Sequence, residues 1–148
     1  MRQLHNEITI DTSVERIWQI LSDPSLLEKY DPTVKKSTLV STEKTGIGAK
    51  RKVDMLDGKN WFEEIIKEFE PNQLLSYQLT DCTFPIHHLK HTYTFEKKGN
   101  QTTVKQVMEY KVKFGLLGNI MDTLMIKKQT DSGIKKFLSG LKDFAEKQ

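Results

Sequence analysis

The stretch HLKHTYTFEKKGNQTTVKQVMEYKVKF, residues 88–114, decides the fold of this 148-residue chain. Apolar and polar residues alternate on both sides of Gly99-Asn100, and a period of two is typical of strands with one buried face. Glycine followed by asparagine is typical of a tight hairpin turn. The stretch therefore predicts two long antiparallel strands, His88–Glu96 and Thr102–Phe114.

The same alternation extends towards the N-terminus through four more segments that are separated by turn residues. These segments predict the strands Val34–Thr42, Ala49–Leu56, Asn60–Phe69 and Leu74–Cys82. Asp57-Gly58 is a second firm hairpin signal. Six strands joined by short turns predict an antiparallel meander.

The N-terminal region predicts one more strand and two short helices. Leu4–Ile10 alternates like the other strands. Val14–Leu21 has apolar residues at spacings of three and four, which predicts a helix capped by Thr12 or Ser13. Proline after Asp23 ends this helix, and a second short helix is predicted over Ser25–Lys29.

After Gly115 the apolar period returns to 3.6 residues and predicts a long C-terminal helix. A helix over most of Leu117–Glu146 would be about 40–45 Å long at 1.5 Å per residue, so it must lie across the sheet. Gly133 and Gly140 each cost such a helix roughly 1 kcal/mol relative to alanine. We therefore expect a kink or a close contact near one of them.

Composition restricts the classes of protein to which this chain can belong. With 36% hydrophobic and 29% charged residues and 12 glycines and prolines, residues 1–148 are expected to form a single folded domain. A net charge of +3 does not predict a nucleic-acid partner. No apolar run approaches the roughly 20 residues of a transmembrane segment. The single cysteine, Cys82, and the lack of a signal-like start predict a cytoplasmic protein.

No motif in the sequence predicts a cofactor or a metal. A glycine-rich phosphate loop, a serine nucleophile elbow and a zinc-protease helix are all missing. His87, His88 and His91 form the one tempting cluster, but on a strand His87 and His91 would be about 13 Å apart. We therefore predict no metal site, and the oligomeric state is left open between a monomer and a weak dimer.

Several short motifs in this order resemble those of one known superfamily. They are ITIDTSVERIW at 8–18, LSDP at 21–24, YDP at 30–32, EFEPNQLLSY at 68–77 and TTVKQVMEY at 102–110. The pattern resembles the START-like superfamily, which includes the polyketide cyclase/dehydrase and lipid-transport proteins.

The resemblance implies an α+β helix-grip fold, also called Bet v 1-like, in which a strongly bent antiparallel sheet wraps around the long C-terminal helix. The order of elements would be one strand, two helices, six strands and one helix, with an apolar cavity between the sheet and the last helix. A small hydrophobic molecule is then the expected partner. The superfamily has no shared catalytic motif, so the fold does not by itself name a reaction.

The alternation predicts which side chains face the C-terminal helix. On the strands and the helix, the predicted ligand-binding residues are Val53, Met55, Leu75, Tyr77, Leu79, His91, Tyr93, Phe95, Gln106, Met108, Tyr110, Val112, Met121, Leu124 and Met125. Arg51 shares the parity of Val53 and is expected to point inward as well. The strand Asn60–Phe69 has no predicted orientation, because its apolar residues fall on both parities. An ordinary filled core is the alternative to a ligand cavity.

Leu116 and Leu117 lie between two glycines just before the helix and complete the predicted ligand-binding set. They can cover the mouth of the cavity and withdraw to admit a ligand. The alternative is that they anchor the start of the helix.

The sequence leaves three functions open. Binding of a lipid-, polyketide- or aromatic-like molecule is the first. The second is a polyketide cyclase/dehydratase-like enzyme in which His91 acts as acid, Tyr110 orients the substrate and Arg51 stabilises an oxyanion. The third is a protein-interaction module that resembles chaperone activators. The polar residues can also simply satisfy one another.

Overall fold

Seven antiparallel strands form one open sheet. The computed structural model describes residues 1–113, 115, 120 and 125–147. The strands are β1 (Arg2–Ile10), β2 (Val34–Leu39), β3 (Lys50–Met55), β4 (Trp61–Glu70), β5 (Leu74–Cys82), β6 (Ile86–Lys98) and β7 (Gln101–Val112). They lie in the order β1-β7-β6-β5-β4-β3-β2, so the first and second strands are at opposite edges of the sheet.

The helices occupy the connection between these two edge strands and the C-terminal end of the chain. They are α1 (Val14–Leu21), α2 (Leu27–Tyr30), which follows a 3-10 turn at Pro24–Leu26, and α3 (Lys127–Glu146). Ser13, one of the two predicted caps, accepts a hydrogen bond from the backbone N–H of Arg16 at 3.2 Å. None of the described helices is both long and apolar enough to cross a membrane.

The strands match the prediction closely, and the differences lie at their ends. Asp57-Gly58 and Gly99-Asn100 form the predicted hairpins, and both glycines have the positive φ that a tight turn requires. The strands predicted to end at Thr42 and Leu56 end at Leu39 and Met55 instead.

The described part of the C-terminal helix begins at Lys127, and its 20 residues correspond to about 30 Å. The predicted start of this helix, near Leu117, lies among residues that the structure does not describe. Residues 114, 116–119, 121–124 and 148 lie outside the described part of the chain.

Helix α3 packs against β1, α1 and α2, with its apolar side towards the sheet. Phe137 contacts the ring of Tyr93 on β6, and Asp131 accepts a hydrogen bond from Asn6 on β1. We call the face of the sheet turned towards α3 the inner face. This arrangement of a sheet around a C-terminal helix is the helix-grip fold that the sequence predicted.

The close contact predicted for one of the two glycines of α3 lies at Gly140. A Cβ atom at Gly140 would be 1.9 Å from the carbonyl oxygen of Tyr30, whereas one at Gly133 would meet no atom within 4 Å. The absence of a side chain at Gly140 therefore lets α3 lie directly against the end of α2.

Candidate functional site

The residues predicted to line a ligand site on the strands all lie on the inner face. They are buried or partly buried: Val53, Met55, Leu75, Tyr77, Leu79, His91, Tyr93, Phe95, Gln106, Met108, Tyr110 and Val112. Their parity follows from the pleat, because alternate residues of a strand point to the same side. The sequence thus placed these side chains on the correct face, while their role in binding stays a prediction.

A buried ion pair lies on the β3 and β4 strands of this face. Arg51 and Glu64 are opposite each other on β3 and β4, and their side chains are 4% and 2% exposed. The Nε and Nη2 atoms of Arg51 both contact Glu64 Oε1, at 2.8 and 2.6 Å. Two opposite charges in contact can be buried together, whereas burying either charge alone would strongly destabilise the folded protein.

Further contacts hold the Arg51 guanidinium in place. Its Nη1 donates to the carbonyl oxygen of Pro24 at 3.4 Å, and its carbon lies 4.1 Å from the centre of the Tyr77 ring. Burial opposes the charge on Arg51, but Tyr77 and Glu64 outweigh it and the pKa of the guanidinium lies above its ordinary value. Arg51 is therefore a structural partner of Glu64 rather than a free donor for a ligand.

Tyr77 links this ion pair to α1. Its hydroxyl donates to the carbonyl oxygen of Leu21 at 2.8 Å, which satisfies the last turn of that helix. Burial raises the pKa of the Tyr77 hydroxyl to about 12, although Arg51 opposes the shift. Tyr77 is therefore a neutral hydrogen-bond donor at any physiological pH.

The sequence analysis did not identify Glu64, because the strand that carries it could not be oriented. The structure shows the reason: the register of β4 against β5 shifts between Ile66 and Glu68, so Lys67 is an extra residue. Phe62, Glu64 and Ile66 point inward before this bulge and Phe69 after it, which mixes the two parities.

A signal for Glu64 was nevertheless present in the sequence. The Asp57-Gly58 turn sets the register of β3 against β4, and a two-residue loop there places residue 51 opposite residue 64. Once Arg51 is taken as inward, its cross-strand neighbour must be inward too.

A second polar group lies on β6 and β7. Gln106 Nε2 donates to the Tyr93 hydroxyl at 3.2 Å and lies 3.4 Å from His91 Nδ1. Because an amide nitrogen only donates, this contact is a hydrogen bond in the His91 tautomer that accepts at Nδ1. Burial lowers the pKa of His91, despite the opposing effect of Glu64, so the ring is uncharged at neutral pH.

Two buried acceptor oxygens on this face have no hydrogen-bond donor among the described residues. They are Glu64 Oε2 and Gln106 Oε1. Buried oxygens are normally hydrogen-bonded, so each needs a partner from elsewhere.

Burial on the inner face is incomplete. Leu75 and Val104 are completely buried near Trp18 of α1, whereas Phe69 and Phe95, which contact Trp18, are only partly buried. Where β7 leads towards α3, further inward apolar side chains are partly exposed: Met55, Phe62, Leu79, Ile86 and Val112. Apolar side chains of the inner face therefore keep some exposure to solvent.

The predicted residues near the start of the C-terminal helix have mixed outcomes. Met125 does not face the sheet as predicted, because it is 56% exposed. Met125 lies two residues before Lys127, the first residue of α3. Leu116, Leu117, Met121 and Leu124, and with them the predicted gate, lie outside the described residues.

The histidine cluster is divided between the two sides of the sheet. His91 points inward, whereas His87 is the exposed extra residue at a register shift in β6. Within the described ranges no group of three or more metal-binding side chains comes together.

An external groove of about 660 Å³ lies between α2 and α3, away from the inner face. Its lining residues are Lys29, Tyr30, Pro32, Lys128, Asp131, Ser132, Lys135, Lys136, Ser139, Gly140, Asp143, Phe144 and Lys147. None of the predicted ligand-binding residues lines it, so the groove is separate from the candidate site.

The seven-stranded sheet and the C-terminal helix packed against its inner face define a helix-grip protein. The family model for polyketide cyclase / dehydrase and lipid transport proteins matches residues 1–146. The chain therefore belongs to the polyketide cyclase / dehydrase and lipid transport family. No match was found among curated proteins.

Solved structures of similar fold come from several bacteria. The aromatase/cyclase Zhui from Streptomyces sp. R1128 is 11% identical, with a TM-score of 0.84 over 98% of this chain and 93% of that one. The protein TTHA0849 from Thermus thermophilus is 16% identical, with a TM-score of 0.79 over 97% of both chains. A START superfamily protein from Mycobacterium smegmatis is 16% identical, with a TM-score of 0.75 over 95% and 97%. At these identities the likeness concerns the fold.

Proposed function

We propose that residues 1–148 form a single domain that binds a small hydrophobic molecule between the inner face of the sheet and α3. The observation that carries this proposal is the incomplete burial of the inner face. Apolar side chains such as Phe62, Leu79 and Val112 point inward yet are only partly buried. Covering that surface with an apolar ligand is favourable, by about 25 cal/mol for each Å² removed from water.

The methionines of this face suit such a ligand. Met55 is partly exposed. Met108 is buried and lies between His91 on β6 and Leu4 on β1. Unbranched thioether side chains repack around ligands of different shape.

With Cys82 as the single cysteine of the chain, we propose that the protein acts in the reducing cytoplasm.

A pair of tryptophan variants on β7 tests the proposal. Met108→Trp should fill the inner face and weaken binding of a neutral hydrophobic dye such as Nile red at least tenfold. Val107→Trp places the same ring on the outer face and should leave binding within about twofold, since neighbouring residues point to opposite sides. Both variants are checked for folding by circular dichroism, and native mass spectrometry of the purified protein reports a retained small molecule. Equal binding by the two folded variants would refute a site on the inner face.

A cyclase- or dehydratase-like enzyme is the second candidate, and His91 is the observation that favours it. In the tautomer that accepts from Gln106 at Nδ1, the uncharged imidazole carries its proton on Nε2, from which it can donate to a substrate, and Gln106 fixes its orientation. The predicted role of Arg51 in stabilising an oxyanion is less favoured, because its Nε and Nη2 contact Glu64 and its Nη1 contacts the Pro24 carbonyl oxygen. The enzyme hypothesis fails if His91→Phe retains full turnover of every substrate that the wild type converts.

A further inference from the structure

The buried carboxylate of Glu64 offers one oxygen to the interior. Arg51 directs two nitrogens at Oε1, while Oε2 is buried and has no donor among the described residues. An unpaired oxygen of a buried carboxylate is costly, because a hydrogen bond to a charged group is among the strongest in a protein. Oε2 is therefore a position at which a ligand with a suitable group gains binding energy.

We infer that Glu64 Oε2 is the polar anchor of the ligand site and selects a hydrophobic molecule that carries an uncharged hydroxyl group. This inference rests on the proposed function and specifies the ligand class of that same site. A hydroxyl donates one hydrogen bond to Oε2 while the rest of the molecule contacts the apolar side chains of the inner face. Gln106 Oε1 is a second acceptor in the same interior.

The charges of Arg51 and Glu64 disfavour the two alternatives to a ligand hydroxyl, which are a ligand carboxylate and a ligand ammonium. The Arg51–Glu64 pair has no net charge, and the guanidinium is engaged by Glu64, Pro24 and the Tyr77 ring. A ligand carboxylate would be a second anion beside Oε2 with no free cation to balance it. A ligand ammonium would lose its hydration close to the positive charge of Arg51. A hydroxyl avoids both penalties.

Three naphthalene probes of nearly equal size isolate the polar group. 2-Naphthol donates a hydrogen bond, 2-methoxynaphthalene does not, and 2-naphthoate carries a negative charge. We expect the full chain at neutral pH to bind 2-naphthol at least tenfold more tightly than either other probe, measured by their fluorescence. A hydrogen bond to a charged acceptor supplies a factor of this size.

A double variant tests whether Glu64 causes the preference. Arg51→Leu with Glu64→Leu replaces the ion pair by apolar side chains, a change that buried pairs often tolerate. We expect it to bind 2-naphthol and 2-methoxynaphthalene within about twofold of each other. The matched control removes the exposed pair Lys105 and Glu96, by Lys105→Leu with Glu96→Leu, and should keep the tenfold preference.

The outcomes separate this inference from the proposed function. Equal binding of all three probes by the wild type, or tighter binding of 2-naphthoate, overturns the role of Glu64 and leaves a hydrophobic site in place. A preference for 2-naphthol that survives in the folded double variant overturns it as well. Binding of none of the probes contradicts the proposed function, and the inference falls with it.

Discussion

His91 combines an inward position with an ionisation that should affect stability. Burial, together with Arg51, lowers its pKa in the folded protein and outweighs the opposing effect of Glu64. The unfolded chain takes up a proton near pH 6.5, whereas the folded protein does so only at lower pH. Stability should therefore fall as the pH decreases below about 6.5, by at most roughly 1.4 kcal/mol per pH unit from this residue.

The variant His91→Phe removes this contribution and makes the prediction measurable. Urea unfolding at pH 7.5, 6.5 and 5.5 should show a smaller loss of stability on acidification in the variant than in the wild type. Asp31, whose pKa is raised by burial, acts in the opposite direction but is present in both proteins and cancels in the comparison. Parallel pH profiles would mean that His91 protonates equally well when folded.

Individual side chains on the inner face were predictable wherever the strand alternation was regular. Tyr77, His91 and Tyr110 follow the period of two without interruption, and their faces were correct. Glu64 was missed because the bulge at Lys67 shifts the parity within one strand. A bulge adds one residue without changing the composition around it, so simple counting cannot locate it.

Among the secondary-structure elements, α3 owes its position to one glycine. A Cβ at Gly140 would overlap the carbonyl oxygen of Tyr30 and lie 3.1 Å from Cδ of Pro32. Gly140→Ala should therefore push α3 away from α2 and disturb the contact between the rings of Tyr30 and Phe137, which are 5.6 Å apart. We expect a loss of about 1–3 kcal/mol in the free energy of unfolding, measured in urea, despite the better helix propensity of alanine.

Gly133→Ala is the matched control on the same helix. Its added methyl group would meet no atom within 4 Å, so only helix propensity changes. The expected result is a gain of up to about 1 kcal/mol. If both variants are stabilised alike, the close approach of α2 to α3 does not exist in solution.

The order of the elements was more predictable than their ends. Turn residues marked each hairpin, and so the strands Leu74–Cys82 and Trp61–Glu70 lie within one residue of their predicted bounds. The predicted start of the C-terminal helix, near Leu117, lies outside the described residues and stays a prediction. Contacts between elements, such as that of Gly140 with Tyr30, are not encoded in any local period.

On the scale of the whole molecule, the end of α3 returns to the beginning of the chain. Arg16 of α1 donates from Nε to the carbonyl oxygen of Ala145 at 3.1 Å and from Nη2 to that of Lys147 at 3.2 Å. The backbone N–H of Asp11 donates to the carboxylate of Glu146 at 2.8 Å. These contacts hold the last turn of α3 against β1 and α1.

A cation that binds the free carbonyl groups at a helix C-terminus also interacts favourably with the helix dipole. Arg16→Met keeps most of the aliphatic stem but removes these donors, so it should lower the free energy of unfolding by about 1–2 kcal/mol. The corresponding fall in Tm is roughly 2–8 °C.

Two further variants are the controls. Lys136→Met removes an exposed cation from α3 and should stay within about 0.5 kcal/mol of the wild type in its free energy of unfolding. Arg16→Lys should fall between the two, since it keeps the charge but not the fork of donors. If Arg16→Met is as stable as Lys136→Met in urea, the contacts between the two ends of the chain contribute nothing to holding α3 in place.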